Sequence, residues 1–173
     1  MAGWLDRLRA DLDAGPCLVQ FREPEWAGDE ASLAAAFEAT LDLCRRRAAP
    51  CLVNSAHPRD WWARAGGVHL RAADAAALAA ADECPAGLLA VSAHDAGDLA
   101  HARALEADFA VLGHVLDTPS HAVETPLGWA GFQALAATAG RPVFALGGQS
   151  LQTAETARRH GAHGIAAIRG ALA

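Results

Sequence analysis

Short runs of consecutive apolar residues punctuate the chain: "CLVQF", "CLV" before Asn54, "GVHL", "GLLAVSA", "FAVLG", "PVFALGG" and "GIAAI". Runs that are apolar at successive positions, rather than alternate ones, suit parallel strands covered on both faces. Alanine-rich stretches separate them: "DEASLAAAFEATLDLCRRR", "DAAALAAADE", "DAGDLAHARALEA", "GWAGFQALAATAG" and "SLQTAETARRHG". In the first of these, Leu33, Phe37, Leu41 and Cys44 recur at helical spacing and make a stripe for burial. Asp29, Asp95 (with Asp98 three positions on) and Ser150 stand where a helix start needs a side-chain acceptor. Gly140 and Gly161 stand where helices should stop. The repeating strand–helix unit predicts an α/β fold with right-handed crossovers. No linker divides the pattern, so residues 1–173 read as a single domain.

Polar residues or glycines finish most of the runs: Gln20 and Arg22, Asn54, His69, Ser92, His114, then Gly147 with Gly148. A doubly wound sheet gathers ligand contacts at one switch point, whereas a barrel draws them from many strands on one face. The distribution predicts a TIM (βα)8-type barrel. Seven runs are present, and the chain opens on a helix-like "GWLDRLRADLDAG", so this barrel lacks its first strand. The "CLVQF" and "GIAAI" edges would then lack a partner, and open edges invite pairing with another chain. Strand exchange within a homodimer, or a misplaced start site, is the expectation.

Composition narrows the chemistry. A chain of 173 residues that is 53% hydrophobic can bury one sizeable core. The absence of a long apolar stretch and the charged N-terminus argue against a membrane span or secretory signal, so a cytoplasmic location is expected. Net charge is -6 and no basic stripe is visible, so nucleic acid is not an expected partner. The one cationic run, Arg45 to Arg47, closes a predicted helix, where it offsets the C-terminal dipole. Four cysteines (Cys17, Cys44, Cys51, Cys84) lack the close pairing of a zinc or redox motif, and no disulfide framework is expected. Lysine is absent altogether, which excludes Schiff-base chemistry and a P-loop lysine. Tyrosine is absent too, so acid–base roles fall to His, Asp, Glu or Cys.

Several candidates remain. "ALGGQS" joins a strand to a helix start through two glycines, where bare backbone can approach a phosphate; a tight turn is the plainer reading. Ala167 and Ile168 follow the last run, and in barrels the loops after the last two strands often hold phosphate. Gly147, Gly148, Ala167 and Ile168 are therefore the candidate phosphate grip. His114, at a strand mouth, is either a hydrogen-bonded rim residue or a general acid or base, with Asp117 and Glu124 able to orient it. The long loop after it is expected to cover a ligand. Gln20 and Arg22 share a strand face, with Arg22 binding an anion or pairing with Glu23 or Asp74. His69 reads as a satisfied core histidine; His57, His101, His160 and His163 read as surface or packing residues. Trp61 and Trp62 either pack a helix onto the sheet or form a lid.

The ordered set "LVQFRE", "CLVN", "GGVHL", "VSAH", "LGHVLDT", "LGW", "ALGG" and "GAHGIAAIRG" resembles the thiamine phosphate synthase/TenI family from about Gly15 onward. The resemblance implies an eight-stranded βα barrel. Its synthases join a hydroxymethylpyrimidine diphosphate to a thiazole phosphate, with magnesium, and release pyrophosphate. It also implies substrate-binding roles for Gln20, Arg22, Asn54, Ser92, Thr118, Ser120 and His121, a phosphate site at Gly147 and Gly148, and Asp74 as a metal ligand. Departures accompany it: an expected lysine is Pro24, an expected metal-binding aspartate is Ser55, an expected "GQ" is Arg71-Ala72, and a loop lysine is His121. With one carboxylate, magnesium binding would be weak.

Three readings follow from the resemblance. The first is a TenI-like thiazole phosphate tautomerase, with His114 moving the proton and no cofactor. The second is a magnesium-dependent thiamine phosphate synthase. The third is a non-catalytic module that binds thiazole or thiamine phosphate, cut from a longer chain that carries a Nudix hydrolase.

Overall fold

The computed structural model describes residues 2–15, 17–78, 86–118 and 125–168. Along them run α1 (Ala2–Ala14), β1 (Val19–Phe21), α2 (Glu30–Arg46), β2 (Cys51–Asn54), α3 (Arg59–Arg64), β3 (Gly67–Leu70) and α4 (Ala72–Ala77). They continue with β4 (Leu88–Ala93), α5 (Ala96–Ala104), β5 (Phe109–Gly113), α6 (Gly128–Ala136), β6 (Val143–Leu146), α7 (Leu151–Arg159) and β7 (Gly164–Ala166). The seven strands among the described residues follow chain order in a parallel α/β arrangement, the incomplete βα-barrel class that the sequence predicts. No helix among the described residues is long and apolar enough to cross a membrane.

The described residues divide into two compact units, one within 2–69 together with 86–88, the other within 70–78 and 89–168. In the first, the register Phe21↔Val53↔Val68 turns these residues to one sheet face, where they are buried. Phe21 lies 5.3 Å from the Phe37 ring of α2, and Phe37 stacks on Trp61 of α3 at 4.3 Å, nearly parallel. Trp61 and Trp62 are thus packing residues. The helical stripe is buried at Phe37, Leu41 and Cys44, and half-buried at Leu33 in the exposed first turn. Asp29 caps α2 by accepting the Ser32 N–H at 2.8 Å. Arg45 and Arg46 do close that helix; Arg46 pairs with Asp42, and Arg47 donates to both carboxylate oxygens of Asp13 in α1 through Nε and Nη2, at 2.7 and 3.1 Å. At Gly67, with φ +137°, a side chain would collide with the Leu88 backbone.

In the second unit, Val91, Ala110, Leu112, Val143 and Ala145 fall in register on one sheet face and are sealed from solvent. Ala75 of α4, Leu99 and Ala102 of α5, Phe132 of α6 and Ala157 of α7 are the buried residues of this unit's described helices. The opposite face carries Ser92, Val111, Phe144 and Gly164 in register, with Phe109 and Phe144 meeting edge to face at 5.2 Å. Ser92, Phe109 and Phe144 are only half-buried. The strand alternation in β6, buried then half-buried, follows from this two-faced environment.

Candidate functional site

In the first unit, Gln20, Leu52, Asn54 and His69 share the sheet face opposite the aromatic cluster. The Gln20 side-chain amide donates to Nδ1 of His69, which is 6% exposed. Burial, and secondarily the positive charge of Arg22, push the His69 pKa down to about 4, so its ring is neutral at physiological pH. His57 is lowered for the same two reasons. It stacks on Trp61 at 5.5 Å and its Nε2 accepts the Glu23 N–H at 3.3 Å, so it packs, as expected. Asn54 is buried, and its Oδ1 accepts the Ala56 N–H at 3.1 Å, folding the loop after β2. Arg22 follows β1 and is exposed. This face is a row of neutral hydrogen-bonding groups with a guanidinium beside it.

In the second unit, Gly113, Leu146 and Ala166 are in register, so His114, Gly147 and Ala167 come next on three adjacent strands. His114 is 9% exposed. Its loop is closed at the base: Leu127 N–H donates to the His114 carbonyl and Gly128 N–H to that of Val115, both at 3.0 Å. Thr118 is half-buried on the outgoing limb, whereas Ser120, His121 and Glu124 lie outside the described residues, as do Arg169 and Cys84. Gly147 and Gly148 have φ of +95° and +64°, and each stands where a side chain would strike the 114–117 segment. Close backbone packing of β6 against the His114 loop therefore already requires both glycines. Ile168 is 68% exposed just beyond β7.

Two groups escape a reading of the sequence alone. Gln149 is buried; its Nε2 donates to the Gly147 carbonyl at 2.6 Å, and its Oε1 accepts the Thr153 hydroxyl at 2.9 Å. The Ser150 N–H in turn donates to Thr153 Oγ1 at 3.0 Å, so the start of α7 and the glycine turn are one hydrogen-bonded assembly. The signal was the glutamine directly after the glycines in "GGQS". The other is Arg71, whose guanidinium grips Asp74 at 2.6 and 2.9 Å and is itself held more basic by that contact. Asp74 was expected to meet Arg22 or a metal; an arginine one helical turn away is its partner. No group of three metal-ligating side chains occurs among the described residues.

Parallel strands in chain order, with helices between them, define a protein of the βα-barrel class. The chain belongs to the thiamine monophosphate synthase (TMP-TENI) family, whose model matches residues 2–171. A thiamine-phosphate synthase of Salinispora arenicola is 33% identical over 87% of this chain and 73% of its own length. The thiamine biosynthesis bifunctional protein ThiED of Geobacter sulfurreducens is 28% identical over 97% of this chain, which spans 34% of that longer protein. A solved thiamine phosphate pyrophosphorylase from Pyrococcus furiosus superposes with a TM-score of 0.75 over 96% of this chain and 79% of its own, at 21% identity; this likeness concerns the fold.

Proposed function

We propose that the protein is a thiamine-phosphate synthase, joining a hydroxymethylpyrimidine diphosphate to a thiazole phosphate with release of pyrophosphate. The observation that carries this reading is family membership along nearly the whole chain, with relatives named for that reaction. The geometry of the first unit supports it. Gln20, Asn54 and neutral His69 form a hydrogen-bonding face suited to a polar heterocycle, and Arg22 supplies charge for a diphosphate. In the second unit, the turns Gly147–Gly148 and Ala167–Ile168 would hold the thiazole phosphate through main-chain N–H groups near the start of α7. Ser92 and Thr118 are the side chains proposed to orient the thiazole.

Magnesium, which the family resemblance implies, is a poor match to the donors present. Ser55 stands where a carboxylate is expected, and Asp74 is committed to Arg71. Magnesium favours carboxylate and phosphate oxygens in octahedral array, and displacing Arg71 would precede any binding at Asp74. Two of the chain's own cations, Arg22 and Arg71, stand just after β1 and β3.

A second reading, thiazole phosphate tautomerase, is favoured by one specific observation: a buried histidine, His114, follows β5 in register with the glycine turn. Its proton transfer needs an imidazole and a phosphate grip but no diphosphate. Purified protein supplied with both substrates should yield thiamine phosphate, measured chromatographically, and His114→Ala should retain that yield. Conversion of the thiazole tautomer alone, lost in His114→Ala and with no thiamine phosphate formed by either protein, would transfer the assignment to the tautomerase.

A further inference from the structure

The carbonyls of Leu146 and Gly147 both face the segment after β5. They accept the Val115 N–H at 2.8 Å and the Leu116 N–H at 3.2 Å. The second of these bonds is long, and the peptide that carries it is conformationally soft. It joins two residues without side chains, at φ +95° and +64°, so its plane can turn over at small steric cost. Gln149 opposes that freedom. Its Nε2 donates to the same Gly147 carbonyl at 2.6 Å, the shorter of the two contacts. A carbonyl oxygen only accepts, so the amide must present its nitrogen there and its oxygen on the other side. That oxygen meets the Thr153 hydroxyl at 2.9 Å, a hydroxyl shared with the Ser150 carbonyl, also at 2.9 Å. The Ser150 N–H donates to Thr153 Oγ1 at 3.0 Å, so the first turn of α7 fixes the whole amide. Gln149 is only 8% exposed. An apolar side chain would meet the demands of packing alone, without the cost of desolvating an amide.

We infer that Gln149 is a positioning residue for the phosphate of the thiazole substrate: it holds the Gly147–Gly148 peptide so that the Gly148 N–H serves the anion. This role rests on the proposed placement of thiazole phosphate at the glycine turn, which the synthase and tautomerase readings share. In a trans peptide the carbonyl and the N–H point in opposite directions. With the Gly147 carbonyl committed to Leu116 and Gln149, the Gly148 N–H is directed away from both. Turning the plane over would present an oxygen to the phosphate in place of a donor, and the two would repel. Gln149 thus removes the turn conformations that reject the anion, and the binding that would be lost in ordering them is retained. Its side chain touches no reacting atom, so the effect belongs to affinity rather than to the chemical step. Thr153 acts one bond further out, through the Gln149 amide.

Titration calorimetry of the whole chain with thiazole phosphate reads this role directly. Gln149→Met, nearly the same shape but without the donor, should weaken binding about tenfold. Thr153→Val keeps the glutamine, removes its hydroxyl partner and should weaken binding about threefold. In the synthase assay the same factors should appear in KM for thiazole phosphate, with kcat and the KM for the pyrimidine diphosphate unchanged. A general loosening of the fold would move all of these together. Should Gln149→Met fail to fold, Thr153→Val decides alone. Wild-type protein that binds thiazole phosphate yet makes no thiamine phosphate would remove the synthase reading and leave the role of Gln149 standing. Folded variants that bind thiazole phosphate as tightly as wild type, or that lose affinity for both substrates alike, would overturn that role. So would wild-type protein that leaves thiazole phosphate unbound.

Discussion

His69 owes its chemistry to two neighbours and to burial. Its pKa is about 4 in the folded chain, against 6.5 for an ordinary histidine. Between those values the unfolded chain binds a proton that the folded chain refuses. Stability from this residue is therefore complete above pH 6.5, declines as pH falls toward 4, and loses no more below that. The loss is up to about 3 kcal/mol, and His57, lowered in the same sense, adds to it. Urea midpoints measured between about pH 7 and pH 4 should fall, and His69→Gln should flatten the slope. The glycines give a second test. Gly148→Ala places a methyl against Leu116 Cβ at 2.7 Å and the Asp117 carbonyl at 3.0 Å, at φ +64°. A destabilisation of about 1–3 kcal/mol is expected in the same urea titration. The sequence makes Gly147 and Gly148 conspicuous but cannot say why. A phosphate and a neighbouring loop make the same demand for a missing side chain, and residues 114–117 are distant in the chain.

At the scale of elements, local signals were legible because local forces set them. Asp29 and Asp95 cap α2 and α5, with side chains accepting Ser32 N–H and Asp98 N–H, and Ser150 starts α7. Strand ends were less legible. "CLVQF" reads as five strand residues, yet β1 begins at Val19, whose N–H donates to the Pro50 carbonyl at 2.9 Å. Proline has no N–H to donate back, so the ladder does not extend to the preceding residues. β6 ends at Leu146 because Gly147 leaves the extended region. The stripe on α2 also grades as its surroundings dictate. Phe37→Ala should cost about 3–5 kcal/mol in chemical denaturation, since the ring is sealed between Phe21 and Trp61. Leu33→Ala, half-buried in the first turn, should cost clearly less; equal costs would mean that the aromatic stack is not the centre of this unit's core.

For the molecule as a whole, the alternation of runs and the ordered motifs sufficed to indicate the βα class and the family, because both are spread along the chain. What they could not supply was pairing between side chains. Arg71 and Asp74 are three positions apart, and only the structure shows that the carboxylate expected to take a metal holds a guanidinium. The same holds for Gln149, whose importance appears only with Thr153 and the Gly147 carbonyl around it. A lysine-free chain of net charge -6 has arginine and main chain as its principal means of holding phosphate groups. On the proposed function, such a chain still makes thiamine phosphate from the two phosphorylated heterocycles. The most direct measurement is pyrophosphate release from the pyrimidine diphosphate as thiazole phosphate is titrated in. Release that requires both substrates, matches thiamine phosphate mole for mole and drops at least about tenfold in Arg22→Ala is the predicted result. No release at any thiazole phosphate concentration, with or without added magnesium, would contradict it.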